Sequence, residues 1–338
     1  CDALEKEIEP RPQVLFPMDF AIAQADRRNA QAGITTVYHA LSFAHGELGV
    51  RNRDTAADIA RHVKHYKHGL VDNRVHGRYE ITDAQSLSVL TALMQEGALD
   101  LVSVMDHTPG QGQFKDLSAY RSYLESTYRN STEEAETLIR KKIDNGKNAL
   151  ERVEQLAANA RTLGIRVASH DDDHPGRVHA MAALGGTIFE FPINADAAKA
   201  VCDIGLWTVF GAPNILRGAS QSGSIKALEA VEKGLAGCLC SDYHPGTLLA
   251  AVFKLPELTD ITLAETVQLV TANPAKASGF KDRGSIQPGK KADLIGVRVR
   301  QGMPSVSHLW VDGQLRYHEG IHGKGREPEH PFTLEMAV

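Results

Sequence analysis

Short apolar, β-branched runs occur at residues 34–38, 75–81, 101–105, 165–169, 187–191, 206–211 and 235–241. After these runs come stretches in which apolar positions recur at intervals of three and four, read as helices at 56–67, 84–94, 133–163, 195–203, 225–232 and 263–271. Runs that are apolar on both faces suit a parallel sheet covered by helices. The pattern predicts about seven β/α units, one short of the eight in a closed (β/α)8 barrel.

Beyond residue 280 the rhythm changes. Residues 283–296 read as turn, strand, turn, strand, followed by a strand at 307–311 and a hairpin signal at Asp312-Gly313. So few strands do not make a stable sheet alone. The expected organisation is a barrel over 1–282 with its first strand truncated, then strands of a small flanking β-sandwich over 283–320. The N-terminal strands of that sandwich are expected to be missing from this chain, and 321–338 reads as a surface tail.

Polar and ionisable residues crowd the C-terminal ends of the expected strands: Glu80, Asp106 and His107, His170 with Asp171 and Asp172, Glu190, Asn214 and Asp242. Barrel enzymes assemble their sites at that end. Neither GxGxxG nor GxxxxGK[ST] occurs, which disfavours an open nucleotide-binding sheet. Glu80, His107, His170 and Asp242 together can hold one or two divalent ions. Imidazole and carboxylate suit zinc, with manganese or iron as alternatives, and a carboxylate-rich shell suits magnesium.

Composition narrows the partners. The 338 residues are 42% hydrophobic and 23% charged, ordinary for a folded chain, and the net charge of −5 provides no basic field for nucleic acid or an anionic membrane. No apolar run is long enough to span a bilayer, and the four sparse cysteines suit a reducing compartment, so a cytoplasmic location is expected. His62, His65 and His68 sit in a Lys- and Arg-rich helix and read as a solvated face, while Cys238 and Cys240 read as core.

Two strings carry a resemblance. Gly33-Ile34-Thr35-Thr36-Val37, and the longer Asn273-Pro274-Ala275 … Gly279 … Gly284-Ser285-Ile286 … Gly289-Lys290-Lys291-Ala292-Asp293-Leu294, resemble the amidohydrolase superfamily, metal-dependent hydrolases on a TIM-like (β/α)8 barrel with a small β-sandwich. Within it the chain resembles the PhnM family, diphosphatases of the carbon–phosphorus lyase pathway. That resemblance rests on Asp2-Ala3-Leu4-Glu5-Lys6, Pro10-Arg11-Pro12, Met105-Asp106-His107-Thr108-Pro109-Gly110-Gln111, Ala168-Ser169-His170-Asp171-Asp172, Gly211-Ala212-Pro213-Asn214 with Arg217-Gly218, and Ser241-Asp242-Tyr243-His244-Pro245.

The resemblance implies metal-assisted hydrolysis of α-D-ribose 1-methylphosphonate 5-triphosphate to the 5-phosphate and pyrophosphate. It adds Asp2 to the expected metal ligands Glu80, His107, His170 and Asp242, with Asp242 also taking the proton of the attacking water. The triphosphate needs local cations, for which Lys6, Arg11, Arg78 and Arg217 are the candidates, with Asn214 beside Arg217 in a Gly-rich loop. The chain departs from the family twice: the His expected two residues before Asp2 is missing, and Gln221 stands where a His is expected. Glu190 reads equally as a ligand or a substrate contact. A C–N bond hydrolase on the same scaffold and a non-catalytic member of a phosphonate-processing assembly stay open as alternatives, as does a homo-oligomer.

Overall fold

The computed structural model describes residues 3–44, 49–109, 118, 121, 125, 131–220 and 223–320. Seven strands form one parallel sheet in sequential order: β1 (Thr36–Phe43), β2 (Asp72–Glu80), β3 (Leu101–Met105), β4 (Arg166–His170), β5 (Gly186–Glu190), β6 (Trp207–Gly211) and β7 (Cys238–Cys240). The sheet curls as a barrel does, and among the described residues β7 does not pair with β1. Each of the seven strands expected in the barrel is present; β1 runs on to Phe43, because Tyr38, Ala40 and Ser42 continue its inward alternation.

The alternation separates two interiors. Outward residues such as Leu41, Phe43, Val75, Tyr79, Val102, Val104 and Phe189 join one core with the covering helices. Inward residues Leu101, Ala168, Ile188 and Cys238, with Tyr38, Trp207 and Val209, fill the lower barrel. Burying each large apolar side chain contributes about 1.5–3 kcal/mol, so a register slip that exchanged the faces would cost far more than any loop contact returns.

The described helices are α1 (Ala3–Ile8), α2 (Met18–Gln31), α3 (Arg53–His65), α4 (Ser86–Gln95), α5 (Thr132–Gly146), α6 (Ala149–Thr162), α7 (Pro175–Ala183), α8 (Ala195–Asp203), α9 (Ala212–Arg217), α10 (Ala227–Glu232), α11 (Thr247–Leu258), α12 (Leu263–Gln268) and α13 (Ala272–Ala277). Their starts have local causes. Asn52 accepts a hydrogen bond from the Thr55 N–H at 2.9 Å and caps α3, Asn194 accepts from the Ala197 N–H at 2.9 Å and caps α8, and Ser131 with Glu134 forms a capping box on α5.

Two expectations are corrected. The single helix over 133–163 is two, α5 and α6, because Asp144-Asn145-Gly146-Lys147-Asn148 is poor helix-forming sequence. Tertiary bonds fix the break: Asn145 Nδ2 donates to the Thr82 carbonyl at 3.0 Å, and Arg152 donates to the Asn145 carbonyl at 2.6 Å. Nor is there a strand between Arg283 and Asp293. Gly284 and Gly289 turn the chain there with φ of 89° and 86°, and Arg283 is tied down to Asp72. The small sheet is instead antiparallel β8 (Leu294–Arg300), β9 (Met303–Val311) and β10 (Gln314–His318). The β9–β10 hairpin turns at Asp312-Gly313, as expected, with both residues in the left-handed region. The tail at 321–338 lies outside the described residues.

Candidate active site

Three successive inward positions of β2 each meet a side chain from a later strand end. His76 Nε2 lies 3.8 Å from Glu190 Oε2 at the end of β5. One step up, Arg78 donates from Nη2 to His170 Nε2 at 3.3 Å. At the top, Glu80 Oε2 lies 2.8 Å from His107 Nδ1. Period-two geometry alone puts these three side chains in one column on the barrel interior.

Asp171 closes the cluster, with Oδ2 at 2.9 Å from His170 Nδ1 and 3.6 Å from His107 Nε2. Arg78 can only donate, so His170 Nε2 is the acceptor in that contact. Burial pulls the His107 imidazolium down, but Asp171 and Glu80 on either side outweigh it and hold the ring up at about 9. Burial also opposes ionisation of Glu80 and Asp171; the His107 contact holds Glu80 below the ordinary carboxylate value, and His170 with His107 does the same for Asp171. Burial brings His76 down to about 4 and lifts Asp172 to about 6.

The backbone is bent at the same end of the sheet. Asp171, Phe191 and Asp242, following β4, β5 and β7, have φ of 58°, 52° and 51°. A left-handed non-glycine residue costs on the order of 1–3 kcal/mol, and such strain clusters at functional sites. Asp242 stands opposite Gly211, where a β-carbon would come within 3.3 Å of its Oδ2. Lys6 Nζ lies 5.0 Å from the centre of the Tyr243 ring, bringing a cation beside Asp242.

The residue types suit a divalent cation. Imidazole and carboxylate converge in a buried place, and several polar atoms there lack hydrogen-bond partners: His76 Nε2, Arg78 Nε, Ser103 Oγ and Glu190 Oε2. Among the described residues, no three His, Cys, Asp or Glu side chains are already set around an ion position. Glu80, His107 and His170 come together, Asp242 lies at the same strand ends, and Asp2 falls outside the described residues.

The expected anion-binding residues divide. Arg78 and Lys6 are at the site. Arg11 is exposed in a two-residue bridge with Val14, and no described contact joins it to the cluster. Asn214 and Arg217 lie in short helix α9 rather than in a Gly-rich loop: Ala212, Pro213 and Ile215 are buried, Ala212 and Ile215 in a core shared with α10 and α11, leaving Arg217 exposed at the helix end before left-handed Gly218. Gln221 is outside the described residues.

The surface histidines behave as expected. His62 and His65 donate through Nδ1 to the Asp58 and Arg61 carbonyls at 2.8 and 2.7 Å, and with His68 they line an open concavity of about 550 Å³ away from the strand ends. Cys238 is core, its thiol pushed up to about 12 by burial, and Cys202, Cys238 and Cys240 are free. Sequence reading missed His76 and Arg177; the alternation His76, Arg78, Glu80 along β2 was the available signal for the first.

A curled parallel sheet with an imidazole–carboxylate cluster at its C-terminal end is the architecture of barrel hydrolases, and residues 28–316 match the Amidohydrolase family. The chain belongs to that family. It is 34% identical over 319 residues to the alpha-D-ribose 1-methylphosphonate 5-triphosphate diphosphatase of Escherichia coli (strain K12), a match covering 93% of this chain and 84% of that protein. It is 26% identical to an imidazolonepropionase of Porphyromonas gingivalis over 70% of this chain and 60% of the relative. Among solved structures, the D-hydantoinase of Bacillus sp. AR9 superposes with a TM-score of 0.51 at 13% identity, covering 86% of this chain and 79% of that one. The fold class is thus the TIM barrel of amidohydrolases with a small antiparallel sheet beside it. Among the described residues no helix is long and apolar enough to cross a membrane.

Proposed function

We propose that this chain is a metal-dependent diphosphatase that hydrolyses a ribose 5-triphosphate bearing a phosphonate at C1, releasing pyrophosphate. The observation that carries the reading is the placement of Arg78 and Lys6 at the same strand ends as the imidazole–carboxylate cluster. A polyanionic substrate needs such cations in a chain of net charge −5, and the similarity to the Escherichia coli diphosphatase points to the same substrate class.

In this reading Glu80, His107, His170, Asp242 and Asp2 would hold one or two divalent ions, zinc being the best match to the donors. Such an ion supplies Lewis acidity that makes hydroxide available near neutral pH. Asp242 accepts the proton of the attacking water, whose oxygen bonds to the α-phosphorus as the bridge to the β-phosphate breaks. Arg78 meets the charge developing on the phosphoryl oxygens; Lys6, held over Tyr243, and Arg217 at the rim hold the outer phosphate and phosphonate groups. A chelator-stripped preparation should release no pyrophosphate from the ribose triphosphate and recover on addition of zinc or manganese. Turnover of a cyclic amide instead, with the triphosphate untouched, would replace this reading with the C–N hydrolase suggested by the imidazolonepropionase likeness.

A further inference from the structure

The β3–β4 ladder ends at Val104 opposite Ser169. Beyond it lie Asp106 and His107 on one loop and Asp171 and Asp172 on the next, with no further backbone pairing between them. His107 Nε2 and Asp171 Oδ2 nevertheless stand 3.6 Å apart, a separation that a small loop shift would change. The fixed point is Arg177, in the first turn of α7. Its Nη1 lies 3.2 Å from Asp106 Oδ2 and its Nε lies 3.3 Å from Asp172 Oδ1.

We propose that Arg177 is a positioning residue, locking the loop after β3 to the loop after β4 and thereby setting His107 against Asp171. Both carboxylates it spans are themselves anchored. Asp106 Oδ1 accepts from the Thr108 N–H at 3.0 Å, and fully buried Asp172 accepts from Ser169 Oγ at 3.0 Å. The Asp172 carbonyl in turn accepts from the Ile193 N–H at 2.9 Å, extending the tie toward the loop after β5. Arg177 is held from behind: Pro175 opens α7, and His174 Nδ1 accepts from the Arg177 N–H at 3.2 Å. A planar fork reaches two carboxylates from fixed angles, which a lysine ammonium does not reproduce. Residues one shell removed from metal-binding side chains typically change affinity or activity by about 10–100-fold.

The proposal rests on the diphosphatase reading only for its activity measurement. Arg177→Met and Arg177→Lys in the full chain would be compared with the parent for zinc affinity by calorimetry on chelator-stripped protein, for histidine-ring NMR signals, and for kcat and KM with the ribose triphosphate. Arg177→Met should keep its circular dichroism, displace the His107 ring signals, weaken zinc binding about 10-fold or more and lower kcat about 30-fold with little change in KM, while Arg177→Lys recovers only part. Unchanged ring signals and zinc affinity would overturn it, and so would a raised KM with unaltered kcat, which would make Arg177 a substrate contact. Should Arg177→Met not fold, Asp106→Asn leaves the buried Asp172 pair in place and cuts only the tie; unaltered His107 signals in that variant would equally overturn it. A parent protein that binds zinc but releases no pyrophosphate would sink the diphosphatase reading while the ring signals and zinc affinity still decided the role of Arg177.

Discussion

Gly211 and Asp242 face each other so closely that a β-carbon on Gly211 would stand 3.3 Å from Asp242 Oδ2 and 3.1 Å from Phe191 Cε1. The Gly211 backbone, at φ −81° and ψ 124°, is open to any residue, so space and not torsion demands glycine. Gly211→Ala is therefore expected to displace the carboxylate by a few tenths of an ångström. Pyrophosphate release should fall about 10-fold in kcat/KM while the melting temperature moves by no more than about 3 °C. An unaltered kcat/KM would remove Asp242 from the proton-accepting role.

Arg217 ends α9 exposed, with no hydrogen bond or ion pair among the described residues, so its loss should leave the fold almost untouched. If it holds a phosphate or phosphonate, Arg217→Ala forfeits a charged hydrogen bond of about 1.5–3 kcal/mol, about 10- to 150-fold in kcat/KM. Arg217→Lys should recover only part of that, since it keeps the charge and loses the fork. Near-normal kcat/KM in both variants would leave phosphate binding to Arg78 and Lys6.

The order of the strands and the end of the sheet that carries the chemistry were legible because both follow from periodicity. Glu80, His107, His170 and Asp242 were found as polar residues terminating apolar runs. Arg177 was not, because it sits inside a helix and acquires meaning only when two loops distant in sequence converge on it. The α9 helix was misread for a related reason: Gly211 and Gly218 look like loop punctuation, yet burial of Ala212, Pro213 and Ile215 folds the six residues between them. The break between α5 and α6 depended in part on the bond from Asn145 to the Thr82 carbonyl, 63 residues away, which no local window contains.

His39 gives a test of acid stability. Burial, only partly offset by the 2.8 Å bond to Asn73 Oδ1, brings this imidazole down from 6.5 to about 4. Between those values the unfolded chain binds a proton that the folded chain does not, so the stability contribution is complete above pH 6.5 and is lost as the pH falls toward 4. The difference amounts to about 3 kcal/mol. His39→Gln keeps a donor for Asn73 and removes the titration. Urea unfolding at pH 7 and pH 4.5 should show the parent losing more stability than the variant, and equal losses would show that His39 is not a source of acid sensitivity.

At the opposite end of the barrel, Arg283 ties the segment before the small sheet to the first strands. Its Nη1 donates to Asp72 Oδ2 at 2.7 Å and to Thr36 Oγ1 at 2.8 Å, and its guanidinium lies 4.2 Å from the centre of the Phe280 ring, which Arg74 also approaches, at 4.7 Å. Arg283 is only 8% exposed, so Arg283→Met removes a largely desolvated cation and leaves Asp72 with Arg74 as its remaining partner. The expected loss is about 2–3 kcal/mol of stability. The strand ends that hold Glu80 and His107 are the length of β2 away, so kcat and KM measured well below the melting temperature should stay within about two-fold of the parent. Arg283→Lys should recover the charge but not the fork or the ring stacking, giving an intermediate melting temperature. A large drop in kcat without a drop in melting temperature would mean that this end of the barrel is coupled to the site, and the purely structural role assigned to Arg283 would fail.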